Sequence, residues 1–170
     1  HGKESGPWGD KIKHLADIAE VLGCNVLSPD YSDLADPDMR VQKLLSMQPL
    51  PHNKLILVGS SMGGYVSAIA SATLKPDGLF LMAPAFYMPG YVVVKPVPSA
   101  QHMAVVFGWH DKIIPVENGI RFAKENGSDL YILNSGHKLD DVLVQVGILF
   151  RDFLCRVLAG TGPIAADKES

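Results

Sequence analysis

The chain has 170 residues, 47% of them hydrophobic, which suffices for one domain with a buried core and is too short for two ordinary domains. Acidic and basic residues are mixed along the chain and leave a formal charge of −3, so no basic stripe is available for nucleic acid or anionic lipid. No apolar run approaches the ~18 residues that a membrane span needs, and no charged-then-apolar signal segment opens the chain. We therefore expect a soluble, cytoplasmic protein with no membrane span and no nucleic-acid partner.

The first part of the chain predicts two helices separated by a strand. Apolar residues recur at helical spacing over 12–22, and Gly23 follows where a helix commonly ends. The short apolar segment 25–28 is typical of a strand. Asp36 then supplies a cap, followed by an early proline, for a second helix over 37–46.

From residue 54 onward, strands and helices alternate. The predicted strands are 54–58, 79–82, 103–107 and 130–133, and the first of these is a continuous apolar run of the kind that is buried on both faces of a parallel sheet. The predicted helices are 63–73, 115–126 and a last one whose apolar face holds Leu139, Val142, Leu143, Val146, Leu149, Phe150, Phe153, Leu154 and Val157.

This alternation predicts the α/β class, with a mostly parallel, doubly wound sheet flanked by helices. We expect a single domain over residues 1–159. The segment 160–170 is rich in glycine, alanine and charge and has little apolar surface with which to dock, so we expect a flexible C-terminal tail.

A candidate nucleophile directly follows the apolar run 54–58. The turn at 59–63 reads GSSMG and matches the pattern G-x-S-x-G, with Ser61 at its centre. Small residues at both glycine positions permit the sharp strand-to-helix bend, the nucleophile elbow, that exposes a serine hydroxyl. A helix begins here, and its free N–H groups and dipole favour a developing negative charge. Because the pattern alone also occurs by chance, other catalytic residues must be found before Ser61 can be interpreted as a nucleophile.

A serine hydroxyl is a poor nucleophile unless a base accepts its proton, so an acid and a histidine are needed downstream. Asp111 follows the predicted strand 103–107 in the sequence GWHDKIIP, and His137 follows the predicted strand 130–133 in the sequence NSGH. Both positions lie at the carboxyl ends of strands, where open α/β sheets bind ligands. The order nucleophile, acid, histidine is the order that a fold of this type requires.

With these motifs the sequence resembles the α/β-hydrolase superfamily, as a small, serine esterase-like member with a minimal cap. The resemblance spans nearly the whole chain, from His1-Gly2 through the turn around Ser61 and the G-x-x-D-x-x-[VI]-P stretch to Gly136-His137. Several independent motifs at the ends of the expected strands are more specific than one.

The resemblance implies a catalytic triad in which His137 deprotonates Ser61, while Asp111 fixes the imidazole tautomer and stabilises its charged form. It also implies an oxyanion hole made of two backbone N–H groups. One N–H would belong to Met62 and the other to Lys3 in the loop after His1-Gly2.

Other polar residues have simpler interpretations. We expect His110 to pack within its loop, Ser60 to point into the turn, and His1 to correspond to the family's structural histidine, which supports the oxyanion loop. An acidic cluster is assigned to turns and helix caps rather than to a cation site; it consists of Asp30, Asp33, Asp36 and Asp38.

The cysteines and histidines do not form a metal-binding pattern. Cys24 and Cys155 are far apart and belong to no CxxC pair, so we expect both to be buried as small apolar residues. None of the six histidines lies in an HxxxH or HExxH pattern. We expect neither a metal nor an organic cofactor.

Only residues 84–102 are available as a cap over the site. The side chains that could line an acyl pocket are Phe86, Tyr87, Met88 and Tyr91, and for each of them packing against the sheet without substrate contact is the alternative. Such a short cap predicts an open site for small or short-acyl substrates.

The family normally places an apolar strand immediately before its His-Gly pair, between the strands predicted at 25–28 and 54–58. This chain begins at His1, without an initiator methionine. We expect that the sequence is trimmed here, because loss of that strand would leave two neighbouring strands unpaired.

The leading hypothesis is a serine hydrolase that cleaves a small carboxylic ester or thioester through an acyl-enzyme. The alternatives are hydrolysis of an amide or peptide bond, a perhydrolase that uses the same triad, and a non-catalytic binding protein that retains the fold. The sequence gives no information on oligomeric state.

Overall fold

The computed structural model describes residues 1–47 and 53–160 of the chain. Within these residues, four parallel strands form one sheet in the spatial order β1-β2-β3-β4. They are β1 (Ile56–Ser60), β2 (Gly78–Met82), β3 (His102–Gly108) and β4 (Asp129–Leu133). Because all four run in the same direction, the loops that follow them meet at one edge of the sheet, its carboxyl edge.

The described residues also form five α-helices and a short 3₁₀ helix at Asp140–Val142. The α-helices are α1 (Asp10–Val21), α2 (Pro37–Ser46), α3 (Met62–Leu74), α4 (Val116–Asn126) and α5 (Leu143–Ala159). The start of α2 is fixed by the Asp36 carboxylate, which accepts the N–H groups of Asp38 and Met39. Both α4 and α5 end at a glycine in the left-handed conformation.

Helices cover the sheet on both faces because successive strand residues point to opposite sides. In β2, Leu79 and Leu81 point into one core with α2, α3 and α4, whereas Phe80 and Met82 point into a second core with α1 and α5. This arrangement confirms the α/β class and the parallel, doubly wound sheet. Among the described helices, none is both long and apolar enough to cross a membrane.

The prediction of a strand at 25–28 is wrong. These residues have no regular secondary structure, although Val26 packs against the core of α1 and α5. A strand needs a neighbour to pair its backbone groups, and β1 is the edge of the sheet that the described residues form. No described strand therefore lies where residues 25–28 could pair with it.

The predicted strand 54–58 begins two residues too early, since β1 starts at Ile56. Lys54 and Leu55 instead bind the Asp77 carboxylate, through the ammonium at 2.9 Å and the backbone N–H at 2.9 Å. Burial on both faces is also only partly correct, because Ile56 and Val58 stay half-buried at this edge.

The predicted helices and the apolar face of α5 agree with the structure, apart from the 3₁₀ turn that precedes α5. The prediction that both cysteines are buried is wrong for Cys155, which lies on the exposed side of α5, and Cys24 is half-buried. Of the tail predicted over 160–170, Gly160 caps α5 and residues 161–170 lie outside the described residues.

Candidate active site

The strand-to-helix turn at residues 59–63, here called the Ser61 turn, has an unusual backbone conformation. Ser61 lies between β1 and α3 with φ 55° and ψ −120°, a region that residues with a side chain rarely occupy. Its N–H donates to the Met82 carbonyl at 2.9 Å, and its own carbonyl accepts the N–H of Ala85 at 3.0 Å. Such a conformation costs roughly 1–3 kcal/mol and persists only where the surroundings enforce it.

Close packing explains why the Ser61 turn needs glycine at both ends. A Cβ placed on Gly59 would lie 2.3 Å from the carbonyl oxygen of Gly63, and one placed on Gly63 would lie 2.6 Å from the carbonyl oxygen of His1. Both positions therefore exclude a side chain. The same contacts bring the start of α3 directly against the first residues of the chain.

Asp111 lies in the loop between β3 and α4, with a side chain that has no exposed surface. Its Oδ1 accepts the N–H of Ile113 at 2.8 Å and of Ile114 at 2.9 Å. Its other oxygen, Oδ2, accepts a hydrogen bond from His137 Nδ1 at 2.8 Å. Three donors therefore fix the plane of this carboxylate and satisfy its charge.

His137 connects the acid to the serine. Because its Nδ1 donates to Asp111, the neutral ring keeps Nε2 as an acceptor, and Nε2 lies 3.1 Å from Ser61 Oγ. The imidazole is 19% exposed, so it faces the surface while Asp111 lies beneath it. The structure thus brings together Ser61, His137 and Asp111 in one hydrogen-bonded chain at the carboxyl edge of the sheet.

The loop that carries His137, residues 134–141, is held at several points and is here called the His137 loop. The Ser135 carbonyl accepts the His110 N–H at 2.9 Å, and the buried Ser135 hydroxyl donates to Asp141. Lys11, in the first turn of α1, donates its ammonium to the Lys138 carbonyl at 2.6 Å. Burial lowers the pKa of Lys11 against the opposing effect of nearby carboxylates.

Residues 1–5 form the His1 loop, which lies beside the Ser61 turn. The His1 ring is buried, and its Nε2 accepts the Tyr31 N–H at 2.9 Å. The proton must therefore be on Nδ1, which donates to the Gly2 carbonyl at 2.9 Å. This contact agrees with the supporting role expected for His1.

The two backbone groups predicted for the oxyanion hole are the N–H groups of Met62 and Lys3. Met62 is the first residue of α3, so its N–H has no acceptor within the helix. A Cβ placed on Gly2 would lie 3.5 Å from Ser61 Cβ, so the next residue, Lys3, begins within reach of the serine. Among the hydrogen bonds of the described residues, none uses the Lys3 N–H.

The four predicted pocket residues all make packing contacts. Phe86 has no exposed surface and stacks on Phe122 with ring centroids 4.2 Å apart, so it is a core residue rather than a pocket residue. Tyr91 packs edge-on against Tyr65 at 4.6 Å, and Met88 Sδ lies 3.7 Å from the Asn118 amide. Contact of Met88 or Tyr91 with substrate stays a prediction.

Tyr87 points toward α4. Its hydroxyl donates to Glu125 at 2.7 Å, and the Arg121 guanidinium lies 4.1 Å above its ring. Burial, and next the Glu125 carboxylate, raise the pKa of Tyr87 to about 12. These contacts attach the segment 84–102 to α4, while a substrate contact for Tyr87 also stays a prediction.

The remaining polar residues have local partners. His110 is exposed and lies 2.8 Å from the Asn134 amide oxygen, rather than packed inside its loop. Within the predicted acidic cluster, Asp30 accepts from Ser32 in a turn and Asp36 caps α2, whereas Asp33 pairs with Lys43 and Asp38 accepts the Tyr65 hydroxyl. Among residues 1–47 and 53–160, no group of three or more histidine, cysteine or acidic side chains is placed to hold a metal ion.

Comparison with solved structures gives the family. A protein from Xanthomonas campestris pv. campestris, described as a hydrolase of the alpha/beta superfamily, is 32% identical, with a TM-score of 0.81 over 91% of this chain and 95% of that chain. The chain belongs to the α/β-hydrolase superfamily. No family model and no curated protein sequence matches the present chain. More distant solved structures also superpose on it.

Two of the distant structures illustrate this likeness. Est1E from Butyrivibrio proteoclasticus is 16% identical, with a TM-score of 0.79 over 94% of this chain and 86% of that chain. The ydeN gene product from B. subtilis is 18% identical, with a TM-score of 0.78 over 94% of this chain and 96% of that chain. At these identities the likeness concerns the fold.

Sequence reasoning missed three residues that contact the site loops, namely Arg40, Ser135 and Lys11. Arg40 is fully buried and donates to the Gly2 carbonyl at 3.1 Å. The only sequence signal that Arg40 is buried was its position four residues before Leu44, on the apolar side of α2. For Ser135 and Lys11 the sequence offered none, because their partners depend on how the loops fold.

Proposed function

We propose that this hydrolase cleaves a carboxylic ester or thioester by nucleophilic catalysis, with Ser61, His137 and Asp111 as its catalytic triad. The observation that carries the proposal is the continuous chain of hydrogen bonds from Ser61 Oγ through the imidazole to Asp111 Oδ2, at 3.1 and 2.8 Å. The geometry of a nucleophile next to a base, with the base oriented by an acid, is the arrangement that activates a serine hydroxyl.

In the first half of the reaction, Ser61 Oγ attacks the carbonyl carbon while its proton passes to His137 Nε2. The buried Asp111 carboxylate stabilises the resulting imidazolium, and the Met62 and Lys3 N–H groups donate to the oxyanion. When the tetrahedral intermediate collapses, the bond to the leaving group breaks and the proton on Nε2 transfers to that alcohol or thiol. The acyl group remains on Ser61.

In the second half, His137 Nε2 accepts a proton from a water molecule, which attacks the acyl carbon. The second tetrahedral intermediate breaks its bond to Ser61 Oγ, which recovers the proton from the imidazole, and the carboxylic acid leaves. No cofactor is needed for these steps. The short segment 84–102, bound to α4, supports small or short acyl groups. A cytoplasmic location and the lack of a nucleic-acid partner stay predictions from the sequence.

The proposal is tested by labelling the protein with a fluorophosphonate probe and by measuring hydrolysis of p-nitrophenyl acetate. We expect an adduct on Ser61, and we expect Ser61→Ala to lower kcat by about 10⁶-fold, as triad removal does elsewhere. Ser60→Ala is the matched control, because this neighbouring hydroxyl lies outside the hydrogen-bonded chain, and it should still be labelled at Ser61. Parental turnover by Ser61→Ala would refute the proposal.

Substrate profiling then separates ester and thioester cleavage from the other activities that a triad can support. The panel contains p-nitrophenyl esters of increasing acyl length, an acyl thioester, the matching anilides and methyl ferulate, which is included because ferulic acid is bound in a structure of Est1E. We expect the highest kcat/KM for short acyl esters or thioesters. Faster cleavage of the anilides would replace the ester assignment by an amidase.

A further inference from the structure

The starting observation is a buried cation on α2. Arg40 is 2% exposed, and no ion pair among the described residues includes it. Its Nε donates to the Leu34 carbonyl at 2.7 Å, its Nη1 donates to the Gly2 carbonyl at 3.1 Å, and its guanidinium lies 5.5 Å above the Tyr31 ring. Burying a charge is costly unless its hydrogen bonds are satisfied, so these oxygen contacts hold the surrounding segments firmly.

The Gly2 carbonyl belongs to the same peptide unit as the Lys3 N–H. In a planar trans peptide the carbonyl and the N–H point in opposite directions, so fixing one direction fixes the other. Two donors hold this carbonyl, His1 Nδ1 at 2.9 Å and Arg40 Nη1 at 3.1 Å. The Lys3 N–H must therefore point away from Arg40. Gly2, where this peptide begins, lies beside Ser61, since a Cβ placed on Gly2 would lie 3.5 Å from Ser61 Cβ.

We propose that Arg40 is a positioning residue for the oxyanion hole, because its guanidinium holds the Gly2 carbonyl so that the Lys3 N–H faces the reacting carbonyl oxygen. This inference rests on the proposed function. A cation bound to the carbonyl end of a peptide also polarises that peptide and strengthens its N–H as a donor, since hydrogen bonds in a chain reinforce one another. Arg40 acts through Gly2 and Lys3 and does not touch the substrate.

The helix that carries Arg40 is itself well fixed. Its start is capped by Asp36, Val41 is buried in the core, and Asp38 accepts the Tyr65 hydroxyl of α3 at 3.0 Å. Because α3 begins directly after Ser61, the packing of α2 on α3 connects the two proposed oxyanion donors, Met62 at the start of α3 and Lys3 through Arg40. A guanidinium suits this task, since its rigid fork reaches two carbonyl oxygens at once.

The experiment compares three variants with the parent, using p-nitrophenyl acetate over a full range of substrate concentrations. Arg40→Gln removes the charge and keeps a planar donor, and we expect kcat and kcat/KM to fall together by about 10-fold or more, because an interaction made only in the transition state is weakened. Arg40→Lys keeps the charge but reaches only one carbonyl, so its kcat should lie between those of the parent and Arg40→Gln.

Val41→Ala is the control for helix stability, because it removes buried methyl groups from the same helix and leaves the Gly2 contact intact. Even if Val41→Ala lowers the melting temperature as much as the Arg40 variants do, it should keep kcat within about twofold of the parent. If Arg40→Gln does not fold, the comparison of Arg40→Lys with Val41→Ala decides. Parental kcat in either Arg40 variant, or an equal loss of kcat in Val41→Ala, would overturn the inference.

Failure of this inference and failure of the proposed function give different results. If Ser61→Ala is as active as the parent, the triad itself is not used, whatever the Arg40 variants do. If Ser61→Ala is inactive while Arg40→Gln hydrolyses the ester at the parental rate, the triad stands and only the positioning role of Arg40 is lost.

Discussion

The Ser61 turn and the His1 loop lie side by side, yet they are held in place by different means. Backbone hydrogen bonds fix the Ser61 turn, through the Met82 carbonyl on one side and the Ala85 N–H on the other. Side chains fix the His1 loop: Arg40 and the His1 ring bind the Gly2 carbonyl, and the Ser5 hydroxyl accepts the Gly2 N–H at 3.1 Å.

This difference shows which parts of the proposed oxyanion hole depend on local sequence. The Met62 N–H is positioned by the strand-to-helix bend, which Gly59 and Gly63 make possible. The Lys3 N–H depends on residues as distant as Tyr31 and Arg40, which come from other segments of the chain. The two regions meet at Gly63, whose lack of a side chain allows the contact with His1.

After Ser61→Ala itself, the largest expected effect concerns the acid that acts on Ser61 through His137. Asp111→Asn removes the charge that stabilises the imidazolium and favours the wrong ring tautomer, so kcat for p-nitrophenyl acetate should fall by about 10⁴-fold. The fold should survive, because the amide can still accept the two backbone N–H groups at 2.8 and 2.9 Å. Asp140→Asn, an exposed acid near His137, is the control and should keep nearly parental kcat. A small effect of Asp111→Asn would remove Asp111 from the triad.

The contact between the two regions is tested next by Gly63→Ala. The new Cβ would lie 2.6 Å from the His1 carbonyl oxygen, so the His1 loop must shift. We expect a loss of about 2 kcal/mol in the free energy of unfolding, as for other overpacked sites. Displacement of the Lys3 donor should lower kcat by about 100-fold.

Gly6→Ala, directly after the His1 loop, is the matched control, because a Cβ at Gly6 would meet nothing within 4 Å. Its urea midpoint and kcat should match those of the parent. If Gly63→Ala destabilises the protein but keeps its kcat, the His1 loop does not supply an oxyanion donor, and the comparison between the two regions loses its functional meaning.

The part of the site that local motifs encode could be predicted from the sequence. The residues of the proposed triad follow strands that have clear apolar runs, and the carboxyl ends of these parallel strands lie at one edge of the sheet. The glycines at 59 and 63 predicted the bend around Ser61, and the structure confirms both the bend and the doubly wound sheet.

What the sequence did not predict depends on contacts between distant segments. The apolar pattern of 25–28 suits a strand, but a strand also requires a partner, which no local pattern supplies. Phe86 is an aromatic residue of the kind that lines pockets, but it stacks on Phe122. The sequence did not predict this contact, because Phe122 lies far along the chain. Arg40 gave no signal of contact with Gly2 for the same reason.

A smaller effect on the His1 loop side concerns Tyr31, whose N–H fixes the His1 ring. Burial raises the pKa of the Tyr31 hydroxyl to about 12, although the nearby Arg40 charge opposes the shift. The unfolded chain has a tyrosine pKa near ~10, so the stabilisation is complete below about pH 10 and is lost between about pH 10 and 12. The loss should amount to about 3 kcal/mol for this residue.

The measurement is urea unfolding of the parent and of Tyr31→Phe at several alkaline pH values. Tyr31→Phe keeps the ring beneath Arg40 and removes only the ionisable hydroxyl. Tyr65 and Tyr87 titrate in both proteins and cancel in the comparison. The free energy of unfolding of the parent should therefore fall more steeply. Equal pH dependence in the two proteins would mean that the region around His1 opens to water before Tyr31 ionises.

The smallest expected effect tests whether side chains also hold the His137 loop, as they do the His1 loop. Ser135→Ala removes a buried hydroxyl that donates to Asp141 and leaves that carboxylate without this donor. The backbone bonds of the loop remain, including the one from the His110 N–H to the Ser135 carbonyl. We therefore expect only about a 10-fold loss of kcat, with Ser61 still labelled by a fluorophosphonate, only more slowly. Ser46→Ala, which removes an exposed hydroxyl at the end of α2, should leave kcat unchanged. Parental kcat in Ser135→Ala would mean that the His137 loop does not need this hydroxyl, because its backbone bonds and the Lys11 ammonium suffice to hold it.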